Sequence, residues 1–229
     1  MKDGIEGIAF DLDGTLYPNY RLNVKLVPFI LKEMRLLSAF GKARTIIRRE
    51  QKTESFTGYS NFYEHQAEIT ANLLSVPPDS LKERIDRLIY KGWEPLFKKI
   101  KLFKGAKETL NALQQSGYKL GLLSDFPPET KLENLGISDG WDAILCSEHC
   151  GALKPHPLSF IELAKAMNLS CEKIMYVGNS RSYDVAGAAG AGMKTALIKS
   201  PLTPNTGKNM QKPDFSFHSY RQLYKYMID

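Results

Sequence analysis

Residues Phe10–Tyr20 read FDLDGTLYPNY, and the fold turns on how this stretch is read. An apolar run, Ile8-Ala9-Phe10, stops at two carboxylates, Asp11 and Asp13, followed by Gly14 and Thr15. Such a run suits a buried strand. A surface turn would need only Asp-Gly, so the second carboxylate asks for another explanation. In extended chain, side chains two residues apart leave on one side, which sets Asp11 and Asp13 together. Two neighbouring carboxylates can divide labour when their surroundings push their pKa values apart. One then stays anionic as nucleophile or metal ligand, and the other carries a proton. Gly14 permits a close backbone approach to an anion, or a positive φ. A calcium loop is excluded, because its sixth position needs Gly where this chain has Leu16.

Working outward, 229 residues suffice for one large domain or a core with a smaller companion. The apolar share of 43% and charged share of 24% are those of a soluble globular protein. The opening MKDGIEG is acidic and has no apolar segment, so no secretory signal is expected. Val24–Phe40 is the best membrane candidate, but Lys25, Lys32, Glu33 and Arg35 interrupt it. Cys146, Cys150 and Cys171 make no metal-binding or redox spacing, which fits a reducing cytoplasm. These features together predict a cytoplasmic protein without a membrane span.

Lys and Arg outnumber Asp and Glu by 31 to 25, a balance that suits an anionic substrate. The densest basic cluster is Lys42, Arg44, Arg48, Arg49 and Lys52, with Phe40, Ala43, Ile46 and Ile47 between. It reads as the solvated face of one amphipathic helix. No aromatic interleaving or nucleic-acid motif accompanies it, so no nucleic-acid polymer is expected as a partner.

From about Leu22 to Ile100 strands and helices do not alternate. The pattern predicts helices over Val24–Arg49, Ser60–Leu74 and Ser80–Lys91, the last capped by Asp79 or Ser80. Beyond Gly105 the pattern changes. Helices are expected over Gly105–Ser116, Pro128–Leu135, Pro157–Asn168, Ser182–Ala191 and Tyr220–Ile228. Strands are expected over Lys119–Ser124, Asp142–Cys146, Lys173–Val177, Lys194–Ile198 and Asp214–Phe217. Thr203–Lys212 reads as a mobile loop. The alternation predicts an α/β fold, a Rossmann-like parallel sheet flanked by helices, with an all-helical module inserted near its start. In such sheets sites form beyond the carboxyl ends of the strands. That rule selects Asp11–Thr15, Ser124-Asp125, Cys146–Lys154 and Gly178–Asp184.

Each piece has a plain structural alternative. Ser124 can offer a hydroxyl to a bound anion or cap the next helix ahead of Pro127-Pro128. Lys154, in GALKPHP, can neutralise a phosphoryl group as a point charge or lie at the surface. Asp184, in VGNSRSYD, can bind a hard cation together with Asp11, or sit favourably in a first helical turn.

The order of these pieces is distinctive. Asp-x-Asp-Gly-Thr, Ser, Lys-Pro and Gly-Asn-Ser-x-x-x-Asp each follow a predicted strand end, in that sequence. This resembles the haloacid dehalogenase superfamily, specifically its magnesium-dependent phosphatases with a helical cap inserted after the first motif. Gly105–Ser124 and Gly187–Met193 (GAAGAGM) are similar to that family too. The resemblance covers essentially the whole chain and implies a core of residues 1–17 and 100–229 with a cap of residues 18–99.

By that resemblance Asp11 attacks phosphorus and Asp13 protonates the leaving oxygen, then activates water. Mg2+ is held by Asp11, the Asp13 carbonyl and the loop carrying Asn179 and Asp184. Ser124 and Lys154 orient the phosphoryl oxygens, and Leu12 and Gly14 add backbone N–H groups. Thr15 and Tyr17 complete the expected substrate-binding set. The implied partner is a small phosphorylated metabolite, handled by a monomer or homodimer.

Two positions depart from the family pattern. Asn179 stands where Asp is usual and can ligate through its carbonyl oxygen without bringing a charge. Asp125 replaces the more common Asn and reads as a turn or capping residue. Asp13 argues against a dehalogenase, which lacks that carboxylate and needs no metal. A phosphomutase would share the aspartyl-phosphate but transfer the group without releasing phosphate. A non-catalytic binding protein would be expected to lose Asp11, Asp13 or Lys154. Candidate cap residues facing a leaving group are Tyr17, Asn19, Tyr20 and Phe56–Tyr63 (FTGYSNFY), and His65 reads as a surface or core residue.

Overall fold

A computed structural model describes residues 2–199 and 211–229. The expected Thr203–Lys212 loop falls almost wholly outside the described residues. Strand β1 (Gly7–Phe10) opens the chain, followed by helices α1 (Asn19–Lys32), α2 (Met34–Glu50), α3 (Phe62–Leu74), α4 (Pro78–Ile85) and α5 (Glu94–Phe97). Alternation then begins with α6 (Ala106–Gln115), β2 (Lys119–Ser124), α7 (Glu129–Leu135), β3 (Ala143–Cys146) and α8 (Pro157–Ala166). It continues through β4 (Ile174–Gly178), α9 (Ala186–Gly190), β5 (Lys194–Ile198), β6 (Phe215–Phe217) and α10 (Tyr220–Ile228).

The six strands form one sheet in the order β3-β2-β1-β4-β5-β6, and every neighbouring pair is parallel. This is the expected α/β fold. β1 and β4 are buried along their whole length, as strands covered on both faces must be. Side chains alternate between two cores. Ile8, Phe10, Leu122 and Val177 pack with α6 and α10, while Ala9, Leu123 and Tyr176 pack with α8 and α9. Strand order reverses about β1, so a crevice opens at the carboxyl ends of β1 and β4.

The helical run builds a small core of its own from Leu36, Phe40, Ala67, Ala71, Leu81, Ile85 and Ile89. The expected single helix over Val24–Arg49 is two, broken at Glu33, whose φ of −115° leaves the helical region. Neither Asp79 nor Ser80 caps α4; the helix starts at Pro78, where a missing N–H costs nothing. Ser80 instead donates its hydroxyl to the Pro77 carbonyl at 3.0 Å. The expected helix over Ser182–Ala191 is a π-turn, Arg181–Val185, running into α9. Among the described residues, no helix is long and apolar enough to cross a membrane.

Candidate active site

β1 ends at Phe10, and the next residue, Asp11, is held at the carboxyl end of the sheet by its backbone N–H, which donates to the Val177 carbonyl at 2.9 Å. Its carboxylate is buried, and both oxygens are engaged. Lys154 Nζ donates to Oδ1 at 2.6 Å, and the Thr15 hydroxyl donates to Oδ2 at 2.6 Å. The same ammonium reaches Asp184 Oδ1 at 2.8 Å, so one lysine bridges two carboxylates from distant parts of the chain. Asp184 Oδ2 accepts the backbone N–H groups of Asn179 at 3.0 Å and Ser180 at 2.9 Å.

Burial dominates the electrostatics. It pushes the Asp11 pKa up to about 7, because Lys154 lowers it less than desolvation, Asp184 and Asp13 raise it. Burial alone would lower the Lys154 pKa, but Asp11 and Asp184 outweigh it and hold the ammonium protonated well above its usual range.

Asp13 lies beside this cluster in a different setting. Lys131 Nζ contacts both of its oxygens, at 2.9 and 2.8 Å, and the Tyr17 hydroxyl donates to Oδ1. Tyr17 is fully buried, where burial and then Asp13 raise its phenol pKa. It therefore supports Asp13 and does not present an open contact surface. Lys131 escaped the sequence reading because it lies inside α7, seven residues beyond the Ser124 strand end, with no motif to mark it.

Gly14 has a φ of +90°, and a Cβ there would lie 2.0 Å from Asn179 Nδ2. The Asn179 amide thus rests against the loop carrying Asp11 and Asp13. A Cβ on Gly178 would lie 2.3 Å from Asp184 Cβ, so β4 must end in glycine for Asp184 to approach the sheet. Leu12 is buried, its carbonyl accepting the N–H groups of Thr15 at 3.3 Å and Leu16 at 3.0 Å. Ser124 is buried too, and its Oγ accepts the Phe126 N–H at 3.2 Å, which closes a turn ahead of α7 and does not cap that helix.

Lys42, Arg49 and Lys52 are exposed, as expected of a solvated face, but Arg44 and Arg48 depart from it. Arg44 is buried, donating to Glu148 and, at 3.1 Å, to Gln66 Oε1. Arg48 donates to Asp125 Oδ2 at 2.8 Å and to the Lys154 carbonyl at 2.8 Å. Asp125 Oδ1 accepts the Lys154 N–H at 3.1 Å. Asp125 is therefore an ion-pair hub between α2 and the Lys154 loop, more than a turn residue. Charge runs are read as solvated when their partners lie far away in sequence, and the charged partners of Arg44 and Arg48 lie beyond residue 120. His65 is half-buried, stacked on Tyr59 at 4.4 Å between ring centroids and paired with Glu50 Oε2 at 2.8 Å.

The family model for haloacid dehalogenase-like hydrolases matches residues 5–192, and the chain belongs to that family of hydrolases. It is 29% identical over 209 residues to a glyceraldehyde 3-phosphate phosphatase of Pyrococcus abyssi, covering 85% of this chain and 82% of the relative. It is 24% identical over 238 residues to a phosphoglycolate phosphatase of Salmonella choleraesuis, covering 96% and 91%. A solved dehalogenase structure with an intermediate complex superposes with a TM-score of 0.69 at 17% identity, covering 100% of both chains, and shows the shared fold.

Proposed function

We propose that this enzyme is a Mg2+-dependent phosphatase that hydrolyses a small phosphomonoester through an aspartyl-phosphate. The observation that carries this reading is the pairing of two differently held carboxylates at the end of β1. Asp11 is buried against Lys154, and Asp13 is gripped by Lys131 and Tyr17. Phosphatases among its relatives support the same class.

In the first step an Asp11 oxygen forms a bond to phosphorus as the bond to the leaving oxygen breaks. Asp13, entering this step protonated, gives that oxygen its proton. Asp13 then takes a proton from water, whose oxygen attacks phosphorus and frees the Asp11 carboxylate and inorganic phosphate. Lys154 balances charge next to the nucleophile, and Thr15 fixes the rotation of its carboxylate.

The residues present fit a magnesium ion. When Asp11 is ionised, it and Asp184 share the single Lys154 ammonium, which leaves an excess negative charge in a desolvated site. The donors are all hard oxygens. Asp11 Oδ2 and Asp184 Oδ1 each accept a single hydrogen bond and keep an open lone-pair position. Asp11, the Asp13 carbonyl, Asn179 and Asp184 would hold the ion. Bound there, Mg2+ would offset the repulsion between an anionic nucleophile and a phosphate dianion.

Residues 18–99 would serve as a cap that closes over the core and excludes water. A cytoplasmic location and a monomeric or dimeric state belong to the same reading. Phosphate release from a metabolite panel, with and without Mg2+, tests it. Release that continued unchanged in Asp11→Asn would overturn the mechanism.

A further inference from the structure

Between the helical run and the core lies a cavity of about 540 Å3. Its lining includes Tyr63, Tyr90, Trp93, Phe97, Phe126 and Lys131. Lys131 also grips the Asp13 carboxylate, so one side chain of the cavity wall touches the residue that would protonate the leaving oxygen. A second link runs through Phe97, whose ring stands edge-on to Tyr17 at 5.8 Å between centroids, and Tyr17 donates to Asp13. We propose that this cavity receives the leaving group, and that the leaving group carries a planar aromatic ring. The proposal rests on the phosphomonoesterase reading above.

Size argues first. A triose leaving group of about six non-hydrogen atoms, at the roughly 30 Å3 that liquid water allots each molecule, needs at most about 180 Å3. The cavity leaves room for a larger group.

Chemistry argues next. The aromatic walls are braced against one another: Tyr63 meets Tyr90 at 5.4 Å, Tyr90 meets Phe126 at 6.0 Å, and Trp93 meets Phe126 at 6.3 Å. Such walls are preorganised and lose little entropy on binding. Ring edges and faces at fixed positions reward an aromatic guest through offset or edge-on contact, whereas an aliphatic guest gains only from buried area. The Lys131 ammonium already sits over the rings of Phe97 and Phe126, at 5.2 and 5.4 Å, and favours another π-face nearby.

The rim does not select a second phosphate. Lys82 and Lys91 are offset there by Asp86 and Glu94, with Lys91 bonded to Asp86 at 2.6 Å. An uncharged planar leaving group suits this lining.

Benzyl phosphate and cyclohexylmethyl phosphate test the proposal, since their leaving alcohols match in carbon count and are similar in acidity. We expect kcat/KM for benzyl phosphate to exceed that for cyclohexylmethyl phosphate by about tenfold, the scale of one or two aromatic contacts. In Trp93→Leu and Phe126→Leu the benzyl-to-cyclohexylmethyl ratio should fall at least about threefold, a change in selectivity that misfolding would not mimic. A ratio near or below one, or a ratio unmoved in both variants, would overturn the aromatic assignment while leaving the phosphatase reading intact. Absence of phosphate release from every ester would overturn that reading, and this proposal with it.

Discussion

Arg48 on α2 donates to Asp125, the residue after β2, at 2.8 Å, and thereby ties the helical run to the loop that aims Lys154. Arg44 lies beside it, with its side chain 7% exposed and that of Glu148 fully buried. Removing one partner of a buried pair strands the other charge, at a cost of about 3–5 kcal/mol. Arg44→Met should therefore destabilise the fold by about that much in urea titrations. The double variant Arg44→Met/Glu148→Gln should recover a good part of the loss. Equal losses in the single and double variants would show that the Glu148 charge is not the cause.

Burial pushes the Asp125 pKa up, but Arg44, Lys154 and Arg48 together outweigh it and hold the group below the usual carboxylate range. A depressed carboxylate contributes stability that is present above its unfolded pKa and disappears as pH falls through the folded value. The window lies below about pH 4. Asp125→Asn should flatten the acid limb of the stability profile there, measured by denaturant titration at a series of pH values.

For Asp11 the sign is opposite. Its pKa is raised to about 7, so the folded protein binds a proton that the unfolded chain releases above about pH 4. Metal-free protein should lose stability between those two values as pH rises, and Asp11→Asn should not. The same shift predicts that turnover rises with pH toward about 7 at low Mg2+ and that saturating Mg2+ moves the rise to lower pH. A rate profile indifferent to Mg2+ would count against Asp11 as a ligand.

Lys131 contacts both oxygens of Asp13, which gives it a positioning role. Asp13→Asn should lower turnover at least about 100-fold, the lower range for general acid–base catalysis, and less for substrates with very good leaving groups. Lys131→Met should cost about tenfold in kcat on poor leaving groups. The double variant should be no worse than Asp13→Asn alone. Additive losses would mean that Lys131 acts independently of Asp13.

The Asn179 amide presses on the loop at Gly14, where φ is +90° and a Cβ would clash. Gly14→Ala should reduce both thermal stability and turnover, through backbone strain of about 1–3 kcal/mol and displacement of Asn179. Asn179→Asp should tighten the apparent Mg2+ affinity by about tenfold, because it adds a charge to an otherwise neutral donor. The same substitution should lower the melting temperature of metal-free protein. An unchanged Mg2+ requirement in Asn179→Asp would place that side chain away from the ion.

Much of this molecule was legible one residue at a time. The strands Lys119–Ser124 and Lys194–Ile198 and the helix Tyr220–Ile228 have the bounds expected of them, because apolar runs between turn residues declare themselves locally. The proposed nucleophile loop was equally plain, since Asp-x-Asp-Gly-Thr lies in consecutive positions. Helix ends were less so. The break at Glu33 and the π-turn at Arg181–Val185 interrupt runs that read as single helices, a change of backbone path that apolar spacing does not register.

The sequence by itself determined the fold class, the family and the carboxylates at the end of β1, because each is carried by short local runs whose order along the chain can be read directly. Only the tertiary structure decided that Lys154 bridges Asp11 to Asp184, that Lys131 and Tyr17 grip Asp13, and that Arg44 and Arg48 are ion-paired. These are contacts between charges separated, for most pairs, by many tens of residues. A charge's partner depends on where the sheet and helices bring it, and burial then decides how strongly the pair interacts.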